Sequence, residues 1–109
     1  MKKSGRSSPP RGLSAEARKL WSEIVREYSI TDPAGLSILR AGLESFDRAA
    51  TAKRLLDVEG AVVVDRWNQR KVHPAAAVER DSRAAWLSAL KQLNLDIEPL
   101  RDGPGRPSD

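Results

Sequence analysis

The chain has 109 residues, which is room for one small domain, and 39% of them are hydrophobic. It contains no cysteine, which excludes disulfide scaffolds, thiol catalysis and cysteine-based zinc sites. No apolar run approaches the roughly 20 residues of a membrane span, and the basic N-terminus lacks the apolar segment of a signal peptide. We therefore expect a soluble intracellular protein that makes no membrane contact.

The net charge of +4 is concentrated in one segment. Residues 1–12 hold Lys2, Lys3, Arg6 and Arg11 and no acid, so 15 of the 19 cations are left to balance 15 acidic residues. The pattern indicates a basic arm on a neutral fold. The arm either binds nucleic acid or only keeps the protein in solution, and the charge pattern does not choose between the two.

Composition predicts the domain boundaries. Residues 1–12 and 101–109 are rich in Ser, Pro and Gly with almost nothing apolar, which is typical of disordered tails. The fold is expected over residues 13–100. A helical domain this small often completes its burial by forming an oligomer.

Two helices are predicted first. Ser14 is a suitable N-cap, and an apolar stripe at helical spacing follows it: Ala17, Leu20, Trp21, Ile24, Val25 and Tyr28. Asp32 before Pro33 predicts the start of a second helix, which should run to about Glu59 and end at a left-handed Gly60. A rod of about 40 Å is long for so small a domain, so it either carries several packed elements or meets a neighbouring subunit.

The helical pattern is interrupted after Gly60. Three consecutive valines predict a strand within residues 61–66, and Lys71 with Val72 could form a short returning partner, giving a hairpin at 61–72. Residues 67–70 fit the loop, with Asn68 tolerant of a left-handed conformation. Pro74, preceded by His73 as a possible cap, then starts a third helix, which Asn94 can end in a left-handed conformation so that Leu95 packs back.

The sequence contains no motif typical of a catalytic, metal-binding or phosphate-binding site. His73 is the single histidine and adjoins a proline, so neither a metal site nor a Ser/His/Asp triad is indicated. The carboxylates alternate with Lys and Arg as on solvated helix faces, and no Gly-rich phosphate loop follows a strand. We expect no catalytic residue, no metal and no cofactor.

The order of these signals resembles the small subunit of phage terminase, in its P-twenty-seven branch. The family pattern "LS-x-E-A-x-x-x-W-x-x-I-V" is matched by Leu13, Ser14, Glu16, Ala17, Trp21, Ile24 and Val25. A shortened "(L/I)T-x-x-D" element follows at residues 30–32, and "K-x-(H/N)-P" is matched by residues 71–74. Residues 93–99 correspond to the closing "L-G-L-T-P" signature, with Asn94 in place of the glycine. The resemblance covers about residues 13–99.

The resemblance implies a mainly α fold that assembles into a ring. It implies a non-enzymatic component of a DNA-packaging motor that binds double-stranded viral DNA and recruits and regulates a large subunit carrying the ATPase and nuclease. Such a protein acts in the cytoplasm of the bacterial host. A ring would also repeat a weak basic arm many times, which turns modest affinity per subunit into avidity.

These expectations place the functional residues in two groups. The arm Lys2, Lys3, Arg6 and Arg11 and a hairpin patch of Arg66, Arg70 and Lys71 are predicted to contact DNA phosphates. The predicted subunit contacts are Leu36, Leu39, Leu43, Phe46, Val62, Val64 and Trp67. For Trp67, covering its own hairpin is the favoured role, ahead of stacking or a subunit contact.

Two other functions fit the same sequence. The first two helices and their short turn allow a helix-turn-helix regulator, although the second helix is long for a recognition helix. A structural helical oligomer or adaptor that never touches DNA is the other alternative, and its tail could then be removed without consequence.

Overall fold

The computed structural model describes residues 8–95. Three helices and one hairpin follow in the order α1 (Ala15–Tyr28), α2 (Pro33–Glu59), β1 (Val62–Val64), β2 (Arg70–Val72) and α3 (Pro74–Gln92). The prediction of helix, long helix, hairpin and helix is thereby confirmed. Residues 1–7, which include Lys2, Lys3 and Arg6, and residues 96–109, which include most of the closing signature and the C-terminal tail, lie outside the described residues.

Each helix begins at the cap that the sequence predicts. The Ser14 hydroxyl accepts a hydrogen bond from the Ala17 N–H at 3.0 Å, and the Asp32 carboxylate accepts from the Gly35 N–H at 2.8 Å. At α3 the His73 Nδ1 accepts from the Ala75 N–H at 3.0 Å. These bonds satisfy N–H groups that the helix itself leaves without partners.

The helix α1 lies against the N-terminal half of α2. Its stripe buries Ala17, Trp21, Ile24 and Val25 in the main core, whereas Tyr28 at its end is exposed. Two hydrogen bonds fix the start of α1 on α2: the Ser14 N–H and hydroxyl both donate to the Asp47 carboxylate, at 2.8 Å and 2.6 Å. The charge-assisted pair holds the helix in register on α2.

The helices α2 and α3 run antiparallel, because Gly42 of α2 faces Ala89 near the end of α3 while Glu59 meets His73 at its start. A Cβ built at Gly42 would lie 2.6 Å from the Ala89 Cβ and 3.1 Å from the Trp86 ring. Small buried residues continue along both helices, namely Ser45 and Ala52 on α2 and Ala75 and Ser82 on α3. The long helix therefore carries both other helices along its length.

The two ends of the α2–α3 pair differ in how the backbone leaves the helix. Asn94 is left-handed with φ 61°, as predicted, and the Leu95 N–H then donates to the Leu90 carbonyl at 3.1 Å. Leu95 packs against the core. Gly60 differs from the prediction: its φ of 87° is positive, but its ψ of 157° is extended rather than left-handed helical. This conformation, open almost only to glycine, directs the chain straight into β1.

Candidate subunit and nucleic-acid interface

The hairpin is an antiparallel pair with Val62 opposite Val72, Val63 opposite Lys71 and Val64 opposite Arg70. The His73 N–H donates to the Ala61 carbonyl at 2.8 Å and the Asp65 N–H to the Gln69 carbonyl at 2.9 Å. These bonds make the Val62–Val72 and Val64–Arg70 positions non-hydrogen-bonded pairs, in which facing side chains lie closest. Val62, Val64, Val72 and Arg70 consequently share one face of the ribbon.

Asp65 organises the hairpin turn. Its Oδ1 accepts hydrogen bonds from the Trp67 and Gln69 N–H groups, each at 2.9 Å, and its carbonyl accepts from the Asn68 N–H at 2.9 Å. Asn68 takes the predicted left-handed conformation, with φ 63°. The result is a three-residue loop over residues 66–68. The predicted boundaries were wrong here: β1 ends at Val64 and Arg70 belongs to β2, because the Asp65 side chain closes the turn early.

The turn also changes the acidity of Asp65. The backbone hydrogen bond from Gln69 is the largest cause that lowers the pKa of this carboxyl, and the Trp67 N–H and the Lys71 ammonium lower it further. Burial opposes them without reversing the direction. The Oδ2 atom is buried and faces Lys71 Nζ at 3.4 Å, without hydrogen-bond geometry. The carboxylate thus stays ionised and neutralises one of the three hairpin cations.

The predicted hairpin cations differ in their surroundings. Lys71 is paired with Asp65. The Arg66 guanidinium lies over the Trp67 ring, 4.8 Å from the centroid. Arg70 is exposed and forms no ion pair within residues 8–95. Arg11 is also exposed, in a turn that leads into α1, and is the one arm cation within the described residues. Arg66 and Arg70 are therefore better placed than Lys71 to meet a new anion.

The predicted subunit contacts separate into three groups. Leu39 and Leu43 are 0% exposed in the core of the single chain, so their side chains leave no surface for a neighbouring subunit. Leu36 and Phe46 are half-buried against that core, and Phe46 meets Trp86 edge to face at 5.6 Å. Val62, Val64 and Trp67 are exposed. The packing of α1 and α3 on α2 within one chain thus buries two of the predicted contact residues of the long helix fully and the other two partly.

Trp67 does not cover its own hairpin, the role that the sequence favoured for it. Its side chain is 66% exposed at the turn. The indole therefore lies mostly in solvent instead of shielding the ribbon.

An apolar surface that the sequence did not reveal adjoins the hairpin. Leu55 and Val78 are exposed, and Val58, in the last turn of α2, is 83% exposed. Between α2 and α3 lies a groove of about 430 Å³, lined by Leu55, His73, Pro74 and Val78 among others. Val78 belongs to the predicted apolar face of α3, whereas Val58 stands outside the main apolar stripe of α2, which was the available signal. We call Leu55, Val58, Val62, Val64, Val72 and Val78 the valine surface.

Other functional features are few in the described part of the chain. Among residues 8–95, no three His, Cys, Asp or Glu side chains are grouped so as to hold a metal ion. The helices described there include none with the length and apolar character to cross a membrane. Comparison with models of known protein families, with curated proteins and with solved structures gave no match.

Proposed function

We propose that this chain is a non-catalytic, DNA-binding oligomer that serves as the small subunit of a phage terminase. It binds double-stranded viral DNA and recruits the large ATPase–nuclease subunit in the cytoplasm of the bacterial host. The observation that carries the proposal is the exposed hairpin, which combines one apolar face with the exposed cation Arg70. The order of the elements, which the terminase resemblance implies, supports the same function.

The valine surface supports self-association. Its six exposed apolar side chains belong to the hairpin and to the helix ends that flank it, and large exposed apolar patches typically mark a contact with a partner. A two-stranded ribbon is also marginal in water and is stabilised when a neighbour covers it. In a ring, this surface meets a different patch on the next copy, whereas pairing with the same patch would give a two-fold dimer. Such a head-to-tail contact closes into a ring when the rotation between copies permits.

The cations supply the DNA contact. Arg66 and Arg70 at the hairpin, with Lys71 partly neutralised, meet phosphates together with the arm residues Lys2, Lys3, Arg6 and Arg11. Contacts of this kind carry little base specificity and weaken steeply with salt. One subunit binds weakly, but a ring presents the same contacts many times on one DNA and raises the overall affinity.

The test joins a native mass measurement to DNA binding at several salt concentrations. We expect a closed ring whose affinity for duplex DNA falls with salt. Replacing Arg66 and Arg70 by Ala should reduce the salt slope by about 0.9 for each DNA phosphate that is no longer neutralised. Deleting residues 1–12 should reduce it further. The exchange Arg40→Ala, on an exposed helix face away from the hairpin, is the matched control.

Other outcomes of that test would contradict the proposal or favour one of the two alternative functions. A monomer at micromolar concentration contradicts the ring and the avidity that depends on it. A dimer that binds one palindromic site specifically favours a helix-turn-helix regulator. An oligomer that never binds DNA, and that tolerates loss of residues 1–12, favours a structural adaptor.

A further inference from the structure

We propose that Trp67 is a stacking platform for an unpaired DNA base, so that the hairpin tip prefers single-stranded or locally opened DNA to intact duplex. The inference rests on the proposed function for its partner, DNA. It adds a contact that is not electrostatic and a preference for a particular state of the DNA. Three observations at the tip carry it.

The first observation is the exposure of the indole. Trp67 is 66% exposed, whereas Trp21 is buried in the core and Trp86 packs edge to face against Phe46. A tryptophan gains most from contact with a large flat or apolar partner, and an indole this exposed has made no such contact within residues 8–95. The ring is thus available to a ligand.

The second observation is that the backbone beneath the ring is fixed. The Trp67 N–H donates to Asp65 Oδ1, and the residues that follow are tied by the Asn68 and Gln69 N–H groups to Asp65. Binding therefore does not have to order the loop. A contact that is organised in advance loses less free energy to ordering when the ligand arrives.

The third observation is the charge around the indole. Residues 60–78 contain three cations, Arg66, Arg70 and Lys71, and a single acid, Asp65. The Arg66 guanidinium covers one face of the indole at 4.8 Å, which leaves the opposite face for a base. A polarised aromatic ring flanked by cations is the combination that single-stranded nucleic-acid sites use, with bases on the ring and phosphates on the cations.

The chemistry favours an unpaired base over a paired one. In a duplex, both faces of each internal base are stacked on neighbours, so an indole at the protein surface can reach base edges, sugar and phosphate but no base face. A single strand offers a free π-face at each nucleotide, without requirement for a particular base. The tip accordingly discriminates the state of the DNA rather than its sequence.

The experiment compares the full chain with three variants on two labelled probes, an oligothymidylate of about 15 nucleotides and a duplex of the same length. Trp67→Ala should weaken oligothymidylate binding by about tenfold and leave duplex binding unchanged. Trp67→Phe, which keeps an aromatic face, should retain most of the affinity. Arg70→Ala, the electrostatic control, should weaken both probes and lower the salt slope.

Fluorescence gives a second readout. Oligothymidylate should quench the tryptophan emission of the wild-type chain, and Trp67→Phe should abolish that quenching because Trp21 is buried and Trp86 is packed against the core on α3, away from the hairpin tip. Native mass and thermal melting of each variant show whether assembly and folding are intact. Quenching that persists in Trp67→Phe would assign the effect to another tryptophan and overturn the inference.

The remaining outcomes separate this inference from the proposed function. If the chain binds duplex but Trp67→Ala has no effect on oligothymidylate, the stacking platform is wrong and the proposed function stands. Equal losses on both probes also overturn it. A change of native mass in Trp67→Ala would make the indole a subunit contact instead. If neither probe binds, both proposals fail.

Discussion

The His73 imidazole joins the end of α2 to the start of α3: its Nε2 lies 2.7 Å from Glu59 Oε1 while its Nδ1 accepts the Ala75 N–H. An Nδ1 that accepts must be unprotonated, so the ring proton resides on Nε2 and is donated to the carboxylate. The His73 N–H also donates to the Ala61 carbonyl at the base of the hairpin. One buried residue therefore holds both helices and the ribbon in position.

We predict that His73→Ala destabilises the fold. Loss of the cap alone should cost about 1 kcal/mol of the free energy of unfolding, and loss of the hydrogen bond to Glu59 should add to that. His73→Asn, which can still cap α3 but does not reach Glu59 in the same way, should recover part of the loss. Urea denaturation of the three proteins measures the difference. Equal stability of His73→Ala and wild type would show that neither bond contributes.

Local signals in the sequence predicted the elements well. Ser14, Asp32 with Pro33, and His73 with Pro74 mark the helix starts, because capping depends on a residue and its near neighbours. The left-handed Asn68 and Asn94 were predicted for the same reason. The early closure of the turn by Asp65 was missed, since its carboxylate satisfies N–H groups up to four residues away.

The candidate site was less predictable, because the burial of a side chain depends on which helices contact each other in the folded chain. Periodicity showed that Leu39 and Leu43 share a face of α2, but not that α1 and α3 cover that face within one chain. It likewise gave no sign that Trp67 would stay exposed. Val58 was overlooked because a single valine at a helix end has no periodic partner. The burial of Leu39 and Leu43 follows from the packing of α1 and α3 on α2, which no local pattern encodes.

We predict that Gly42→Ala destabilises the protein although alanine is the better helix former by about 1 kcal/mol. The added methyl would lie 2.6 Å from the Ala89 Cβ, a separation that forces α2 and α3 apart. The cost of overpacking is typically about 1–3 kcal/mol, which exceeds the gain in helix propensity. Thermal or urea denaturation should therefore show a lower stability.

The matched control for Gly42 is the double variant Gly42→Ala with Ala89→Gly. Removing the Ala89 methyl relieves the closest approach. The double variant should therefore lose less stability than the two single variants lose when their losses are added. Additive effects would mean that the two helices do not approach at this point.

We predict that acid loosens the hairpin turn through Asp65. Its pKa is lowered in the fold, so the ionised carboxylate stabilises the turn above its unfolded pKa, and that contribution is lost as the pH falls through the folded pKa. The transition should therefore have its midpoint below the ordinary value of 3.8. Amide chemical shifts of Trp67 and Gln69, followed by NMR, report it directly.

Asp65→Asn is the control for this transition. The amide keeps an oxygen that can accept the Trp67 and Gln69 N–H groups but has no charge to lose, so the pH dependence of those two amides should disappear. Amides in the interior of α1, far from the turn, serve as the internal reference. A transition of unchanged size in Asp65→Asn would assign it to another carboxyl.

The last prediction separates core residues of α2 from contact residues of the hairpin, which the sequence had grouped together. Leu43→Ala removes a side chain that is 0% exposed and should lower the free energy of unfolding by about 2–5 kcal/mol. Val64→Ser alters an exposed side chain and should change monomer stability by only about 0.5 kcal/mol.

On the proposed self-association, Val64→Ser should also lower the native mass at a fixed concentration, because a hydroxyl replaces apolar contact area between copies. Chemical denaturation and native mass spectrometry measure the two effects separately. If Val64→Ser leaves the native mass unchanged while Leu43→Ala behaves as expected, the valine surface is not the contact between copies.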